Sequence, residues 1–217
     1  MARCESEQTM TLYSYIVKHD TGFAPNPYFG YCTLACCKPV IRSRAKEGDW
    51  IVGLTPAARG NRIVYFMRVD KILGIDGYWR DARFGKKKPR FGAGVEFKTG
   101  DNIYKPSGGG RFSQLPSPHS SPPLRKREQR EAMKRDLRGE RVLISETFVY
   151  FGSEAVELPD ELKDLKVKRG HKCRFLPALV EEFIHCFVPK WETGVHAMPH
   201  RPPRNDEPWH GGSCGGA

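Results

Sequence analysis

Gly48-Asp-Trp-Ile-Val-Gly-Leu54, followed by Arg62-Ile-Val-Tyr-Phe-Met-Arg-Val-Asp-Lys-Ile-Leu73, is the stretch on which the fold turns. Gly48-Asp49 is a turn signal, and Trp50 to Leu54 is a short run rich in β-branched and aromatic residues, the composition of a strand. In the longer run, alternation puts Ile63, Tyr65, Met67 and Val69 on one face and Val64 and Phe66 on the other. Both faces are apolar at its start, which suits a central strand of a closed or covered sheet.

Upstream, Thr11 to Lys18 reads as a strand and Tyr31 to Cys37 as a second, buried one. Lys38-Pro39 breaks that strand, and Pro39 suits the first turn of a short helix, Val40 to Lys46. Downstream, Gly74 to Arg90 reads as a loop and Asp101 to Pro106 as a short strand. Residues 106–123 are nearly all Pro, Gly and Ser, the composition of a flexible insertion. Leu124 to Arg141 is dense in charge. Its apolar stripe of Leu124, Ala132, Met133 and Leu137 is thin, so a mostly solvated helix is expected. Strands return at Val142 to Ile144 and Thr147 to Gly152. Leu176, Leu179, Val180, Phe183, Ile184 and Phe187 recur at helical spacing and define a helix from Arg174 to Val188. The expected architecture is α+β: one domain over residues 11–192, a compact bent mixed β-sheet or small β-barrel with peripheral helices. A disordered tail is expected over 193–217, rich in Pro, Gly and His.

A chain of 217 residues with 39% hydrophobic side chains can bury a core. No apolar run approaches the ~20 residues of a membrane-spanning helix, and Met1 to Met10 lacks the apolar region of a secretory signal. A cytoplasmic, non-membrane protein is therefore expected. The formal net charge of +11 favours polyanionic partners, either nucleic acid or nucleotides. Seven cysteines, three of them crowded at Cys32, Cys36 and Cys37, do not make an evenly spaced disulfide framework.

No phosphate-loop, zinc-protease or nucleophile-elbow string is present. The Cys32/Cys36/Cys37 cluster lacks the second pair that a zinc site usually has, so buried small side chains are expected there, and no metal or cofactor. The loop His19 to Gly30, stiffened by Pro25 and Pro27, interleaves Asn26 with Phe23, Tyr28 and Phe29. Rigid rings beside an amide can clamp a nucleobase, the rings stacking on its faces while the amide reads its edge. On that logic Asn26, Tyr28, Phe29, Trp50, Trp79, Asp81, Asn102, Tyr104 and Gln114 are base-binding candidates. The alternative is an ordered loop whose aromatics cap the core. Lys38, Arg42, Arg83, Lys86, Lys87 and Lys88 are the phosphate-binding candidates, against the alternative of a solvated charge run. For acid, base or nucleophilic chemistry the candidates are Asp49, Asp101, His119 and Cys37, which only the fold can bring together.

Thr21-Gly-Phe-Ala-Pro-Asn-Pro27, Cys32-Thr-Leu-Ala-Cys-Cys-Lys-Pro39, Ile41-Arg42, Gly48-Asp-Trp-Ile-Val-Gly53 and Gly100-Asp-Asn-Ile-Tyr104 resemble the nucleotide modification associated domain family, second type. A weaker likeness, the short helix before Gly-Asp and a strand, is similar to base-reading domains of the PUA, ASCH and EVE type. The resemblance implies a DNA base-modification or phage-defence setting. It also implies a nucleic-acid or nucleotide partner, DNA ahead of RNA, with proteins of the modification system as further partners. The favoured function is binding a nucleobase or nucleotide, modified or plain, in an aromatic, basic-rimmed pocket; the alternative is an enzyme modifying or removing a base by acid/base chemistry.

Overall fold

The strand expected at Trp50 forms as β3 because both its faces are covered by apolar side chains. The computed structural model describes residues 10–121 and 124–203. Its strands are β1 (Leu12–Ile16), β2 (Cys32–Leu34), β3 (Trp50–Leu54), β4 (Ile63–Arg68), β5 (Lys71–Gly74), β6 (Tyr104–Pro106), β7 (Phe112–Gln114), β8 (Arg141–Ser145), β9 (Phe148–Tyr150), β10 (His171–Lys172) and β11 (Gly194–Val195). The α-helices are α1 (Pro39–Arg44), α2 (Ile75–Arg80), α3 (Val95–Lys98), α4 (Lys126–Leu137) and α5 (Pro177–Glu181).

Six strands make a mixed sheet in the order β10-β1-β3-β4-β9-β11, with β1 and β3 parallel and β3 and β4 antiparallel. Three more, β2-β8-β5, make an antiparallel sheet, and β6-β7 is a hairpin. The larger sheet ends at β10 and β11, so it is open. The α+β architecture is as expected, and the closed-barrel alternative is not what the chain forms.

The long run Arg62 to Leu73 divides into two strands that enter different sheets. Asp70 marks the break: its Oδ2 accepts the backbone N–H groups of Glu146 (2.7 Å) and Thr147 (2.9 Å), so the turn between β8 and β9 is tied to the turn between β4 and β5. The stretch 74–90, expected as a loop, coils into α2 and a 3₁₀ segment, Ala82–Lys87. Asp81 caps that segment by accepting the Arg83 N–H at 3.0 Å, and Tyr78 and Phe84 anchor it in the core.

Three apolar clusters fill the layers. One lies between the two sheets and includes Tyr15, Leu34, Ile41, Tyr65 and Met67. A second covers the far face of the large sheet, where Trp50 and Phe66 meet Phe183 and Phe187. These two phenylalanines come from the C-terminal helix, which runs as α5, a wider π turn (Glu182–Phe187) and a 3₁₀ turn rather than one uniform helix. The third, under the small sheet, includes Phe23, Tyr78, Phe84 and Ile103.

Two segments expected to be loose are built into the fold. Within 106–123, β7 pairs with β6 and Ser117, His119 and Ser121 are buried. Beyond residue 193, β11 extends the large sheet beside β9, and Asp20 accepts the His200 N–H at 3.0 Å. The tail therefore joins the domain as far as these contacts reach, and residues 204–217 lie outside the described residues.

Gly53 is required by close approach: a Cβ there would come within 2.3 Å of the Tyr65 ring and 2.7 Å of Val17 Cγ2. Gly53→Ala is expected to lower unfolding stability by about 1–3 kcal/mol, the usual cost of overpacking a filled core, as read from the urea midpoint.

Candidate active site

The candidate site is built around the turn that follows β2. After β2 the chain must reverse into α1, and it does so through Cys37 and Lys38, both in the left-handed region at φ 60° and 39°. Residues with side chains pay for that conformation, so something must hold them there. The holder is Asp136, whose Oδ1 accepts the Cys37 N–H at 2.7 Å. Its Oδ2 accepts the Tyr104 hydroxyl at 2.7 Å and faces His119 Nδ1 at 2.5 Å. The other ring nitrogen, His119 Nε2, lies 3.5 Å from Cys37 Sγ. Sulfur, imidazole and carboxylate thus stand in line, drawn from three distant parts of the chain.

Surrounding groups fix this line. Arg42 is fully buried; its guanidinium donates to the carbonyls of Cys37 (2.8 Å), Arg141 (2.6 Å) and Asp136, tying both ends of the cluster together. Gly139 makes room for it, since a Cβ there would sit 2.4 Å from Arg42 Cζ. Gln114 donates to the Tyr104 oxygen at 3.3 Å, and Phe23 meets the His119 ring edge-on with centroids 5.2 Å apart.

Electrostatics favour a charged pair. Burial works against ionising Asp136, yet His119 and Arg42 outweigh it and hold the carboxyl below its ordinary value. Burial likewise opposes a charged His119, but Asp136 and Cys37 push its pKa up to about 10. Protonated at both nitrogens, His119 donates to Asp136 and directs its second N–H at Cys37 Sγ. Cys36, His119 and Asp136 also lie close enough together to hold a metal ion, all within 4.8 Å. Against that use, both oxygens of Asp136 already take hydrogen bonds, and Cys36 Sγ points at the Asp101 carbonyl, 3.6 Å away.

Cys37 is half-buried and lines a cavity. This cavity, of about 380 Å³, is lined also by the end of β1, the start of α1, Arg135 and Arg138 of α4 and its end, and His171 of β10.

The sequence candidates divide. Cys37 Sγ and His119 Nε2 meet at 3.5 Å, with Tyr104 hydrogen-bonded to Asp136 and Gln114 to Tyr104 behind them. Arg42, expected on phosphate, is buried on backbone carbonyls. Trp50 is 5% exposed inside the far-face cluster, so it shares no hollow with the Asn26 loop. Asn26 is fully buried: its amide donates to the carbonyls of Gly22 (3.0 Å) and Thr99 (2.9 Å), and its Oδ1 accepts from Lys87 Nζ at 2.5 Å. Lys87, expected on phosphate, spends its ammonium there, and burial draws its pKa down to about 8. Asp101 accepts from Tyr78 and Thr33, both at 2.7 Å, and Asn102 donates to the carbonyls of Tyr78 and Phe84, so both brace the fold. Asp49 accepts the N–H groups of Thr11 and Lys46, both at 2.8 Å. Phe29, Trp79, Lys86 and Lys88 instead lie near the surface with Arg83 and Asp81. Lys88 Nζ sits 4.1 Å from the Trp79 ring centroid, and Lys86 Nζ 6.0 Å from Phe29. Tyr28 is half-buried beside Gly22.

Asp136 was not among the candidates. Its signal was present, because it falls three and four residues after Met133 and Ala132, on the thin apolar stripe of α4, where an acid has no reason to be solvated.

Because the native pKa of His119 lies above its unfolded value of ~6.5, its pairing with Asp136 contributes stability that is complete below that pH. The contribution is lost as pH rises toward about 10. Urea unfolding of the wild type and His119→Gln across pH 6 to 10 is expected to show the difference in stability shrinking with pH, at up to ~1.4 kcal/mol per unit for the one proton. A constant difference would mean that His119 is neutral in the native state.

Among the described residues no helix is long and apolar enough to cross a membrane. No curated protein and no solved structure matches the chain. The family model described as nucleotide modification associated domain 2 matches residues 9–205, nearly the whole described chain and all of the cluster around Cys37. The chain belongs to the nucleotide modification associated domain 2 family.

Proposed function

We propose that the chain is a thiol-dependent enzyme acting on a nucleotide or a nucleotide-linked group, with Cys37 as nucleophile, His119 as acid and base, and Asp136 as the group that orients and charges His119. The sequence of contacts from Cys37 Sγ through His119 to Asp136, beside a cavity that Cys37 lines, carries this reading. The same division of roles recurs on unrelated folds, where it is recognised by geometry. A separation of 3.5 Å between sulfur and Nε2 is ordinary for a pair that tightens on substrate.

In the first step the Cys37 sulfur forms a bond to an electrophilic carbon of the substrate. The bond to the leaving group breaks, and the leaving group takes the proton of His119 Nε2. In the second step water or an acceptor hydroxyl gives its proton to His119 and displaces the sulfur, so the pair returns to its starting state. The left-handed turn at Cys37 presents the sulfur to the cavity throughout, and Tyr104 keeps Asp136 from rotating.

Iodoacetamide labelling followed by peptide mapping tests the nucleophile without a known substrate. Cys37 is expected to label at least tenfold faster than the exposed Cys186, and His119→Gln to remove that advantage. Equal rates at the two thiols in the wild type would leave Cys37 a packing residue and sink the enzyme reading.

A second reading is favoured by the edge built from the 3₁₀ segment and α3. There cations stack on rings, Lys88 on Trp79 at 4.1 Å and Arg90 on Phe97 at 4.7 Å, with Phe91 48% exposed beside them. Rings carrying cations are what a single strand of nucleic acid meets with its bases and phosphates. Trp fluorescence titrated with an oligothymidylate is expected to be quenched, with an affinity that falls as salt rises and drops severalfold in Lys86→Glu/Lys88→Glu. A titration insensitive to both salt and charge reversal would remove this face from the proposal.

A further inference from the structure

We infer that the cavity over Cys37 is an anion pocket whose ligand is a phosphorylated nucleoside, the phosphate held at the rim and the sugar or base laid on the apolar wall. This rests on the reading above only in placing the reacting end of the ligand at Cys37; the pocket's preference for phosphate stands on its own lining.

The volume of about 380 Å³ falls at the small end of the range for ligand sites, enough for one nucleotide-sized group. Its charge is one-sided. Lys18, Lys38, Arg135 and Arg138 line it and no carboxylate does, although α4 has acids elsewhere along its length. The four cations come from three directions: Lys18 follows β1, Lys38 precedes α1, and the two arginines sit at the end of α4 and just beyond it. A solvated charge run would spread along one element, whereas here separate elements converge on one hollow. The apolar part is equally defined, with Ile16, Val17, Pro39 and Val40 turned to the same space.

Two histidines on the lining register the same field. Burial lowers the pKa of His171, and Arg44 and Lys38 lower it further. Burial also lowers that of His19, with Lys18, Arg201 and Arg59 acting in the same direction. Burial first and the surrounding cations second bias both imidazoles toward the neutral form, and those same cations favour a phosphate as occupant. Phosphate could reach the pocket on a free mononucleotide or as the end or backbone of a strand. The chemistry recognised is the same.

The test uses the full chain carrying Cys37→Ala, so that binding is read without turnover or thiol reactivity. Calorimetric titration compares thymidine, thymidine 5′-monophosphate and a 5′-phosphorylated oligothymidylate. The phosphorylated ligands are expected to bind at least tenfold tighter than thymidine. Arg135→Glu/Arg138→Glu is expected to remove that preference, while Arg125→Glu/Arg127→Glu, with the same change of net charge at the other end of α4, keeps it. Preference for the mononucleotide identifies a free-nucleotide source and preference for the oligonucleotide a strand source, and both sustain the pocket. Equal binding of thymidine and its phosphate, or equal losses in the two double variants, would overturn it. Because the alkylation rate of Cys37 is read separately, failure here leaves the nucleophile standing, and slow alkylation leaves the anion pocket standing.

Discussion

One buried carboxylate organises this protein. Asp136 accepts hydrogen bonds from a backbone N–H of the β2–α1 turn and a tyrosine hydroxyl of β6, and pairs with an imidazole from the 106–123 insertion. A buried charge is costly unless it is fully paired, and removing one partner of such a set typically costs ~3–5 kcal/mol. That penalty makes the arrangement all-or-none: either the turn, the hairpin, the insertion and α4 are all docked, or the charge is stranded. The fold therefore brings Cys37 beside His119 by the same interaction that stabilises it, and the left-handed backbone at Cys37 and Lys38 is tolerable because Asp136 and Arg42 grip both sides of the turn.

The sequence showed the framework better than the site. The β3 strand was readable to the residue, since its apolar faces and its Gly-Asp turn agree. The run Arg62 to Leu73 misled by its uniform apolarity. The break at Asp70 depends on a turn whose two N–H groups lie 76 and 77 residues later, and no local pattern encodes that. The loop reading of 74–90 failed for a related reason: Tyr78 and Phe84 coil the segment by burial, against a composition of Gly and charge.

At the site, polar residues in the aromatic loop looked like ligand contacts because amides, lysines and carboxylates serve both purposes. Asn26, Lys87 and Asp101 satisfy backbone and side-chain groups that folding would otherwise strand, a role whose partners lie 61 and 68 residues away in the chain. Cys37 and His119 were visible as residue types, but their meeting depends on a Pro- and Gly-rich segment that composition alone assigns to solvent. The family membership agrees with the nucleotide setting.

The clasp between Asp20 and residue 200 spans 180 positions, and β11 borders the sheet whose first strand is β1. During synthesis the amino-terminal strands must wait, with one sheet border unfinished, until the chain near residue 200 leaves the ribosome. Contacts of such long sequence separation make folding slow and leave exposed strand edges open to wrong pairing. A chain cut short before residue 194 would leave β9 as an unpaired border of the large sheet, a template for wrong pairing.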